Sequence, residues 1–401
     1  MENPKIRFKG FTKDWEQRKL GELVGIYDGV HQTPDYQDSG IMFLSVENIA
    51  TLKSEKYISE AAFERDYKVY PEKGDILMTR IGDVGTTNVV ETAEKVAFYV
   101  SLALLKPNGI DSYFLSNAMK TNPFLKGLRE RTLVTAIPQK INKDEIGKID
   151  IFITNNDEEQ KKIGAYFHNL DNLITLHQRK CEQTKNLKKY MLQKMFPQNG
   201  AKVPEIRFDG FTYDWEQRKL GEVCSRVQGN DGRMDLPTLT ISAANGWMNQ
   251  EDRFSGNIAG KEQENYTLLH KGELSYNHGN SKLAKYGTVF SLQSYKEALV
   301  PRVYHSFKVE EGSPDFLEYY FATKLPDREL GKLISSGARM DGLLNIGYNE
   351  FMGIQMLFPS VEEQKQISNY FRNLDHLITL HQRKCDELKK MKKYMLQNMF
   401  I

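Results

Sequence analysis

The stretch that decides the fold is EEQKKIGAYFHNLDNLITLHQRKCEQTKNLKKYMLQKMF, which begins at Glu158. A second copy, EEQKQISNYFRNLDHLITLHQRKCDELKKMKKYMLQNMF, begins at Glu362, and 28 of the 39 positions are identical. Apolar residues recur at steps of three and four along each copy, which is the spacing of one face of a helix. No proline interrupts the first copy before Pro197. The repeat therefore predicts two long helices, at 158–196 and 362–400.

The apolar stripe of such a helix needs a partner. A helix of 39 residues extends about 58 Å at roughly 1.5 Å per residue, too far to be covered by one small domain. The other copy is the nearest partner, so we predict that the two helices pack antiparallel as a coiled-coil spacer. The residues predicted to lie in this packing are Ile163, Phe167, Leu170, Ile174, Ile367, Phe371, Leu374 and Ile378.

A second repeat precedes each variable segment of the chain. PKIRFKGFTKDWEQRKLGELV begins at Pro4 and PEIRFDGFTYDWEQRKLGEVC begins at Pro204, with 16 of 21 residues identical. The sequence thus divides into a first domain, a central helix, a second domain and a terminal helix, with bounds 1–157, 158–197, 198–361 and 362–401. Two large copies with different interiors suggest a pseudo-two-fold molecule with two different recognition surfaces.

Length and composition place the chain in a broad class. Its 401 residues exceed one ordinary core and suit at least two domains. No apolar run is long enough to span a membrane, and the start of the chain lacks the apolar region of a signal peptide. Three cysteines do not form a disulfide framework, so we expect a cytoplasmic protein. A net charge of +2 does not by itself indicate a nucleic-acid partner.

Each long repeat also carries a histidine and a cysteine four positions apart, His177 with Cys181 and His381 with Cys385. Two such pairs would supply four zinc ligands, but structural zinc sites normally use closely spaced CxxC or HxxxH pairs. We therefore interpret these residues as part of the helix packing surface. The lysine-rich ends, KNLKKYMLQKMF and KKMKKYMLQNMF, suit either a solvated helix terminus or a surface for DNA phosphates or an acidic partner.

The variable segments mix strand and helix signals in the same order. Apolar runs rich in β-formers are bounded by Gly, Asp and Pro, and a helix follows them, interrupted in the first segment near Pro123. In the first segment the predicted runs are 40–50, 74–90, 95–107 and 146–153, and the predicted helix is 112–130. In the second segment the predicted runs are 236–248, 272–290 and 351–359, and the predicted helix is 314–334. We predict α/β (α+β) globular domains in two copies, joined by two long antiparallel helices.

No catalytic motif is found in the sequence. P-loop, HExxH, CxxC and GxSxG patterns are missing. The tetrapeptide TNPF at Thr121 resembles the Asn-Pro-Pro-aromatic pocket of amino-methyltransferases only faintly, because one proline is missing. We expect a binding protein that is not an enzyme.

Polar residues surround Gly-rich turns at matching places in the two variable segments, in LMTRIGDVGTTN and SYNHGNSKLAKYG. Arg, Asn, Gln and Lys are the side chains that read base edges, and glycine lets the backbone approach a phosphate. An ordinary polar hairpin is the alternative for any single residue. Because the two copies differ here, the pattern favours recognition over catalysis. The predicted DNA-binding residues are Thr79, Arg80, Thr86, Thr87, Asn88, Gln139, Lys140, Tyr276, Asn277, His278, Asn280, Ser281, Lys282 and Arg339.

The constant and variable layout, the FxxxWEQRKLGE opening, the GDILMTRIGDVG loop and the duplicated LITLHQRKC helix together resemble the specificity subunit of type I restriction–modification systems. The resemblance covers the whole chain, and the duplicated helix is its most specific element. It implies two target-recognition domains that each read one half of a split DNA site. It also implies docking of two modification (adenine methyltransferase) subunits on the helices, with restriction (endonuclease and translocase) subunits joining later. No cofactor is then expected in this chain, and S-adenosylmethionine, ATP and magnesium belong to the partner subunits.

Three other interpretations stay open at this point. A bivalent DNA-binding regulator would bind tightly alone and need no methyltransferase. A pure coiled-coil scaffold would leave the divergent polar loops without a role, and a stand-alone nuclease would need metal-binding carboxylate motifs. Residues 1–157 carry 21 basic and 23 acidic side chains, so DNA binding there implies a local basic patch, with partner subunits supplying part of the clamp.

Overall fold

The chain forms two compact units in the computed structural model. Unit 1 comprises residues 1–179 and 381–401, and unit 2 comprises residues 180–380. The structure describes residues 3–254, 260–279, 281–334 and 343–401. The packing thus divides the chain inside the two long helices, whereas the sequence pattern divides it at their ends.

Unit 1 contains the first variable segment. Its strands are β1 (Glu16–Lys19), β2 (Val24–Asp28), β3 (Ile41–Leu44), β4 (Tyr57–Ile58), β5 (Ile76–Ile81), β6 (Asp83–Val89), β7 (Val96–Phe98), β8 (Leu102–Pro107) and β9 (Asp150–Ile153). Its helices are α1 (Leu20–Leu23), α2 (Glu60–Asp66), α3 (Ser112–Ala118), α4 (Asn122–Arg131), α5 (Lys143–Gly147) and the first part of α6 (Asp157–Lys194), with a 3-10 turn at Val46–Asn48. The predicted interruption near Pro123 is confirmed, since this proline lies in the first turn of α4.

Unit 2 contains the second variable segment. Its strands are β10 (Glu216–Lys219), β11 (Cys224–Arg226), β12 (Leu239–Ser242), β13 (Gly246–Asn249), β14 (Thr267–His270), β15 (Leu274–Asn277), β16 (Thr288–Ser291), β17 (Glu297–Val300), β18 (His305–Val309) and β19 (Gln355–Phe358). Its helices are α7 (Leu220–Val223), α8 (Gln250–Phe254), α9 (Pro314–Ala322), α10 (Asp327–Lys332), α11 (Tyr348–Met352) and the first part of α12 (Val361–Asn398), with a 3-10 turn at Gly260–Asn265.

The two units share a central sheet topology. A four-stranded antiparallel sheet has the order β2-β8-β5-β6 in unit 1 and β11-β18-β15-β16 in unit 2. The repeated opening segment pairs antiparallel with the last strand of its variable segment in both units, β1 with β9 and β10 with β19. The additional sheets differ, with β4-β3-β7 in unit 1 and the pairs β12-β13 and β14-β17 in unit 2. The predicted class of mixed helix and sheet is confirmed, and the duplication extends into the variable segments.

Both long helices begin with a side-chain cap and acidic residues. The Asn156 side chain accepts a hydrogen bond from the Glu159 backbone N–H at 3.0 Å, and the Ser360 hydroxyl accepts one from the Glu363 backbone N–H at 3.3 Å. Acidic residues in the first turn favour the positive end of each helix dipole. No helix in the described part of the chain has both the length and the apolar character to cross a lipid bilayer.

Within each unit, the start of one long helix runs beside the end of the other. In unit 1 the Lys392 ammonium donates to both Asp171 carboxylate oxygens, at 2.5 and 2.8 Å. In unit 2 the Lys188 ammonium donates to Asp375 at 2.6 Å. The two helices are therefore antiparallel in each unit.

The end of each helix completes the aromatic core of the unit in which the other helix begins. In unit 1 the Phe400 ring packs against Trp15, Phe114 and Phe167, with ring centroids 5.4–5.8 Å apart. The matching cluster of unit 2 joins Phe196 to Trp215, Phe316 and Phe371 at 5.6–6.1 Å. The repeated Met-Phe at the end of each copy is thus a core element.

This packing corrects the expectation that the two predicted apolar sets bury each other. The four predicted residues of α6, from Ile163 to Ile174, belong to the core of unit 1. Ile367, Phe371 and Leu374 belong to the core of unit 2, and Ile378 is half-buried. The physical reason is the antiparallel arrangement, which brings the start of one helix to the end of the other, so that each starting half packs on its own domain.

Candidate nucleic-acid interface

The two polar segments singled out in the sequence form equivalent β-hairpins. Strands β5 and β6 form one in unit 1, and β15 and β16 form the other in unit 2. The Arg80 carbonyl accepts a hydrogen bond from the Ile141 N–H at 3.0 Å, and the His278 carbonyl accepts one from the Leu344 N–H at 2.8 Å. Arg80 and His278 therefore occupy the same place in the two units, where a later segment crosses the end of the hairpin.

Three of the predicted side chains in unit 1 face the interior. Thr79, Arg80 and Thr87 are all buried. The Arg80 guanidinium donates to Asp28, and burial lowers the pKa of Arg80 below its ordinary value. The Thr79 hydroxyl also accepts a hydrogen bond from the Thr86 N–H at 2.9 Å, across the hairpin. These groups hold the hairpin in its position.

The matching side chains of unit 2 are also enclosed. The Tyr276 hydroxyl donates to the Tyr286 carbonyl at 2.7 Å, and burial raises the pKa of Tyr276 above its ordinary range. The His278 ring lies between two carbonyl oxygens, with Nδ1 2.7 Å from Leu344 and Nε2 2.9 Å from Val303. Its ring position is thereby fixed from both sides.

The structure buries these five side chains, and their role in DNA binding stays a prediction. A polar residue beside a turn looks exposed in the sequence, but here each of the five side chains has a hydrogen-bond partner inside its unit, although the buried Arg80 Nε has none. We interpret Thr79, Arg80, Thr87, Tyr276 and His278 as positioning residues behind the turns, because their side chains offer little surface to DNA.

The other predicted residues are more accessible. Thr86, Gln139 and Lys140 are exposed in unit 1, and Ser281 and Lys282 are exposed in unit 2. Asn88 and Asn277 are half-buried, and their amides donate to the carbonyl groups of Ile49 and Ile241 at 2.9 and 3.2 Å. Asn280 and Arg339 lie outside the described residues.

A distant segment joins the hairpin turn of unit 1. The Gly82 N–H donates to the Gln139 carbonyl at 2.9 Å, and the Gln139 side-chain amide donates back to the Gly82 carbonyl at 3.0 Å. Gly85 has φ +104°, and a Cβ there would lie 2.3 Å from a methyl group of Leu128, so the hairpin packs closely on α4. We call residues 81–86 and 126–143 the tip of unit 1.

The tip of unit 1 contains a basic patch that the motif search missed. Residues 126–143 carry five Lys or Arg and one acidic residue, a net charge of +4, whereas the remainder of residues 1–157 carries 16 basic and 22 acidic side chains. Among the described residues, no carboxylate lies within 4 Å of the charged groups of Lys126, Arg129, Lys140 or Lys143. A local charge count along the sequence would have found this patch, because the charge of the whole domain hides it.

The hairpin turn of unit 2 presents a smaller group of the same kind, which we call the tip of unit 2 (residues 278–279 and 281–287). Lys282 and Lys285 are exposed, and Leu283 between them is 66% exposed. The Lys285 ammonium lies 5.2 Å from the centre of the Tyr286 ring, within the range of a cation–π contact. The tip of unit 2 therefore combines exposed cations with an exposed aliphatic side chain.

The long helices carry a second repeated surface, made of exposed apolar residues. The members in α6 recur in α12 with an offset of 204 positions. Those in unit 1 are Leu173, Leu176, Met391 and Tyr394, and those in unit 2 are Leu377, Leu380, Leu187 and Tyr190. We call these sets the helix faces of unit 1 and unit 2.

The histidine and cysteine pairs belong to the helix packing. His177 Nδ1 lies 3.0 Å from His381 Nδ1 in unit 1, and the Cys181 thiol lies 3.8 Å from the Ile378 carbonyl in unit 2. Cys385 is buried in the core of unit 1. In the part of the chain that the structure describes, no three His, Cys, Asp or Glu side chains are placed to hold a metal ion.

Comparison with known proteins adds a sequence match and a fold match. Residues 12–186 match the family described as type I restriction modification DNA specificity domain. A protein of Methanocaldococcus jannaschii named as a type I restriction enzyme MjaX specificity subunit is 22% identical over 416 aligned positions, covering 96% of this chain and 92% of that protein.

A solved structure has the same fold over the full length. The crystal structure of a type I restriction–modification system S subunit from M. genitalium superposes with a TM-score of 0.66 and 14% identity, covering 100% of this chain and 99% of that chain. The resemblance noted in the sequence is confirmed: residues 12–186 match the type I restriction modification DNA specificity domain family, and the whole chain shares the fold of a solved type I S subunit.

Proposed function

We propose that this chain is the DNA-reading subunit of a type I restriction–modification complex and reads a bipartite, asymmetric target. Unit 1 reads one half-site and unit 2 reads the other. Partner subunits then methylate adenines in the target and carry out restriction. The observation that carries the proposal is that the two units share one central sheet topology but present different residues at their hairpin turns.

The tips support reading of two unlike half-sites. A shared catalytic task would call for the same residues in both copies, but the β5–β6 turn of unit 1 carries Gly82 and Asp83, whereas the β15–β16 turn of unit 2 carries Ser281 and Lys282. Lysine suits phosphate contacts and amide or hydroxyl groups suit base edges. The framework behind the tips holds them in equivalent places and leaves their sequence free to vary.

The helix faces support docking of two copies of one partner. Each face combines residues of both long helices within a unit, and the two faces have closely similar composition because the helices are duplicated. Large exposed apolar side chains are a feature of protein interaction sites when they form a patch. We propose that one modification subunit docks on each face and that restriction subunits join the resulting complex.

The chemistry of the complex then lies outside this chain. S-adenosylmethionine would be held by the modification subunits, and ATP and magnesium by the partner subunits that use them. The role of this chain would be to select the DNA and to position its partners on it.

The proposal is tested by mapping modified adenines across a genome in a cell that expresses the complete system. We expect one motif made of two short, unlike blocks separated by a fixed number of unread bases. Deleting the gene for this chain should abolish the modification at every such site. Modification that persists without this chain, or a motif with a single block, would contradict the proposal.

A further inference from the structure

The tip of unit 1 exposes aliphatic side chains that lie outside the hydrophobic cores. Ile137 is 100% exposed and Val134 is 67% exposed, and Leu133 beside them is 46% exposed. Each of these side chains would gain free energy by moving into an apolar contact. Their exposure together, in one short loop, therefore points to a ligand that covers them.

Hydrogen bonds at both ends give this loop a defined shape. The Leu133 N–H donates to the Lys140 carbonyl at 2.8 Å, and the Ala136 N–H donates to the Leu133 carbonyl at 3.3 Å. Gln139 accepts one hydrogen bond from Gly82 and donates another to it, as described above. The aliphatic side chains are thus displayed at the apex of an ordered turn beside the hairpin.

The charge around the loop indicates what kind of ligand fits. Lys126, Arg129, Lys140 and Lys143 belong to the +4 segment and have no carboxylate partner among the described residues. An apolar apex flanked by unpaired cations is complementary to a DNA groove, where phosphates line the rims and thymine presents a methyl group from the floor. A purely apolar protein partner would not need these cations.

We propose that Val134 and Ile137 contact thymine methyl groups in the major groove of the half-site read by unit 1, while Lys126, Arg129, Lys140 and Lys143 contact the flanking phosphates. This inference rests on the proposed function, because it takes the first half-site as the ligand of unit 1. It adds a pair of specificity-determining residues that are neither charged nor polar.

Replacing thymine with uracil tests the contact directly, because uracil pairs identically and lacks only the methyl group. Each thymine of the mapped target is replaced in turn, on either strand, and the affinity of the intact complex with its modification subunits is measured. We expect a loss of about fourfold at one or two positions of one half-site, the value for removing one buried methyl group. No sensitive thymine in that half-site would overturn the inference.

The Ile137→Ser and Val134→Thr variants assign the effect to residues. Each variant should bind the thymine target and the uracil target with equal affinity when the exchanged base is the one that its substituted residue contacts. The base preferences in the other half-site should stay unchanged. Tyr213→Ser is a matched control, since Tyr213 is 87% exposed and lies outside both tips. A Lys140→Ala, Lys143→Ala double variant should instead weaken binding to all sequences and reduce the salt dependence.

The outcomes distinguish failure of this inference from failure of the proposed function. If the variants keep the wild-type preference for thymine, the inference is wrong although the proposed function stands. If the wild-type complex has no sequence preference in either half-site, the proposed function itself fails. If Ile137→Ser lowers binding of the modification subunits and leaves DNA preference unchanged, the loop is a protein contact and the inference is overturned.

Discussion

Arg7 forms a two-pronged ion pair with Glu159, whose side chain is fully buried at the first turn of α6. The guanidinium Nε and Nη2 donate to the two carboxylate oxygens at 2.5 and 2.8 Å, and this contact raises the pKa of Arg7. Arg207 and Glu363 form the same pair in unit 2, at 2.7 Å for both bonds. The repeated opening segment is therefore fastened to the start of its long helix in each unit.

Removing Arg7 should destabilise unit 1, because the buried Glu159 carboxylate loses its partner. We expect Arg7→Ala to lower the free energy of unfolding by about 3 kcal/mol. The measurement is hydrogen exchange followed through denaturation, which resolves the two units. Arg18→Ala is the control, because the Arg18 pair with Glu22 is exposed and should contribute nothing measurable. Equal effects of the two variants would contradict this interpretation.

Phe400 and Phe196 follow the ends of the long helices, and each completes the aromatic core of one unit. Phe400→Ala should destabilise unit 1 and Phe196→Ala should destabilise unit 2, each by about 3–5 kcal/mol for a fully enclosed ring. Phe400 is distant in sequence from the core it completes, since Trp15, Phe114 and Phe167 all precede it by more than 200 residues. Hydrogen exchange should locate each effect in the named unit, with Tyr394→Ala as an exposed control. An effect of Phe400→Ala confined to unit 2 would refute the assignment.

The sequence predicted the helices and hairpins better than it predicted which residues pack against them. Helical spacing identified both long helices, and the paired turns located both hairpins, because these signals are local. The same spacing shows that Phe167 and Phe371 lie on an apolar stripe, but it does not say what covers the stripe. For that reason their burial in separate cores, completed by Phe400 and Phe196, was not foreseen.

The candidate site shows the same limit. The sequence placed Arg80 and His278 beside Gly-rich turns and gave Gln139 and Lys140 as DNA-binding residues, which stays a prediction, but it did not show which of these side chains point inward. Whether a polar residue at a strand end points inward depends on partners that arrive from elsewhere, such as Asp28 for Arg80 and Val303 for His278. Ile137 carried no sequence signal, because an exposed isoleucine is recognised only once its surroundings are known.

His305 should make the stability of unit 2 depend on pH. Burial lowers the pKa of His305 to about 4, and nearby His278 and Arg226 act in the same direction. The unfolded chain binds a proton at about pH 6.5, whereas the folded unit does not until about pH 4. The stabilisation is therefore complete above pH 6.5 and is lost as the pH falls towards 4, by about 2 kcal/mol at pH 5.

This pH dependence is measured by denaturant unfolding of unit 2 at pH 7.5 and pH 5, again followed by hydrogen exchange. His305→Gln should reduce the difference between the two conditions, since it removes the titrating group. His376→Gln, at an exposed position of α12, should leave the difference unchanged. Retention of the full pH effect in His305→Gln would show that another group is responsible.

The helix faces predict a change in stoichiometry. A Leu173→Arg, Tyr394→Arg double variant should lose the modification subunit of unit 1, because a charge replaces apolar contact on that face. The matched Leu377→Arg, Tyr190→Arg variant should lose only the one of unit 2. Native mass measurement should find two partner subunits on the wild type, one on each double variant and none when all four changes are combined. Two subunits on every variant would exclude these faces as docking surfaces.

The central claim is that the two units read DNA independently, and exchange of one variable segment tests it most directly. Residues 25–157 are replaced by the corresponding segment of another family member, and the methylated motif is mapped before and after the exchange. The account predicts that one half-site changes to that of the donor while the other half-site remains as it was. A motif in which both half-sites change together, or in which neither changes, would contradict the account.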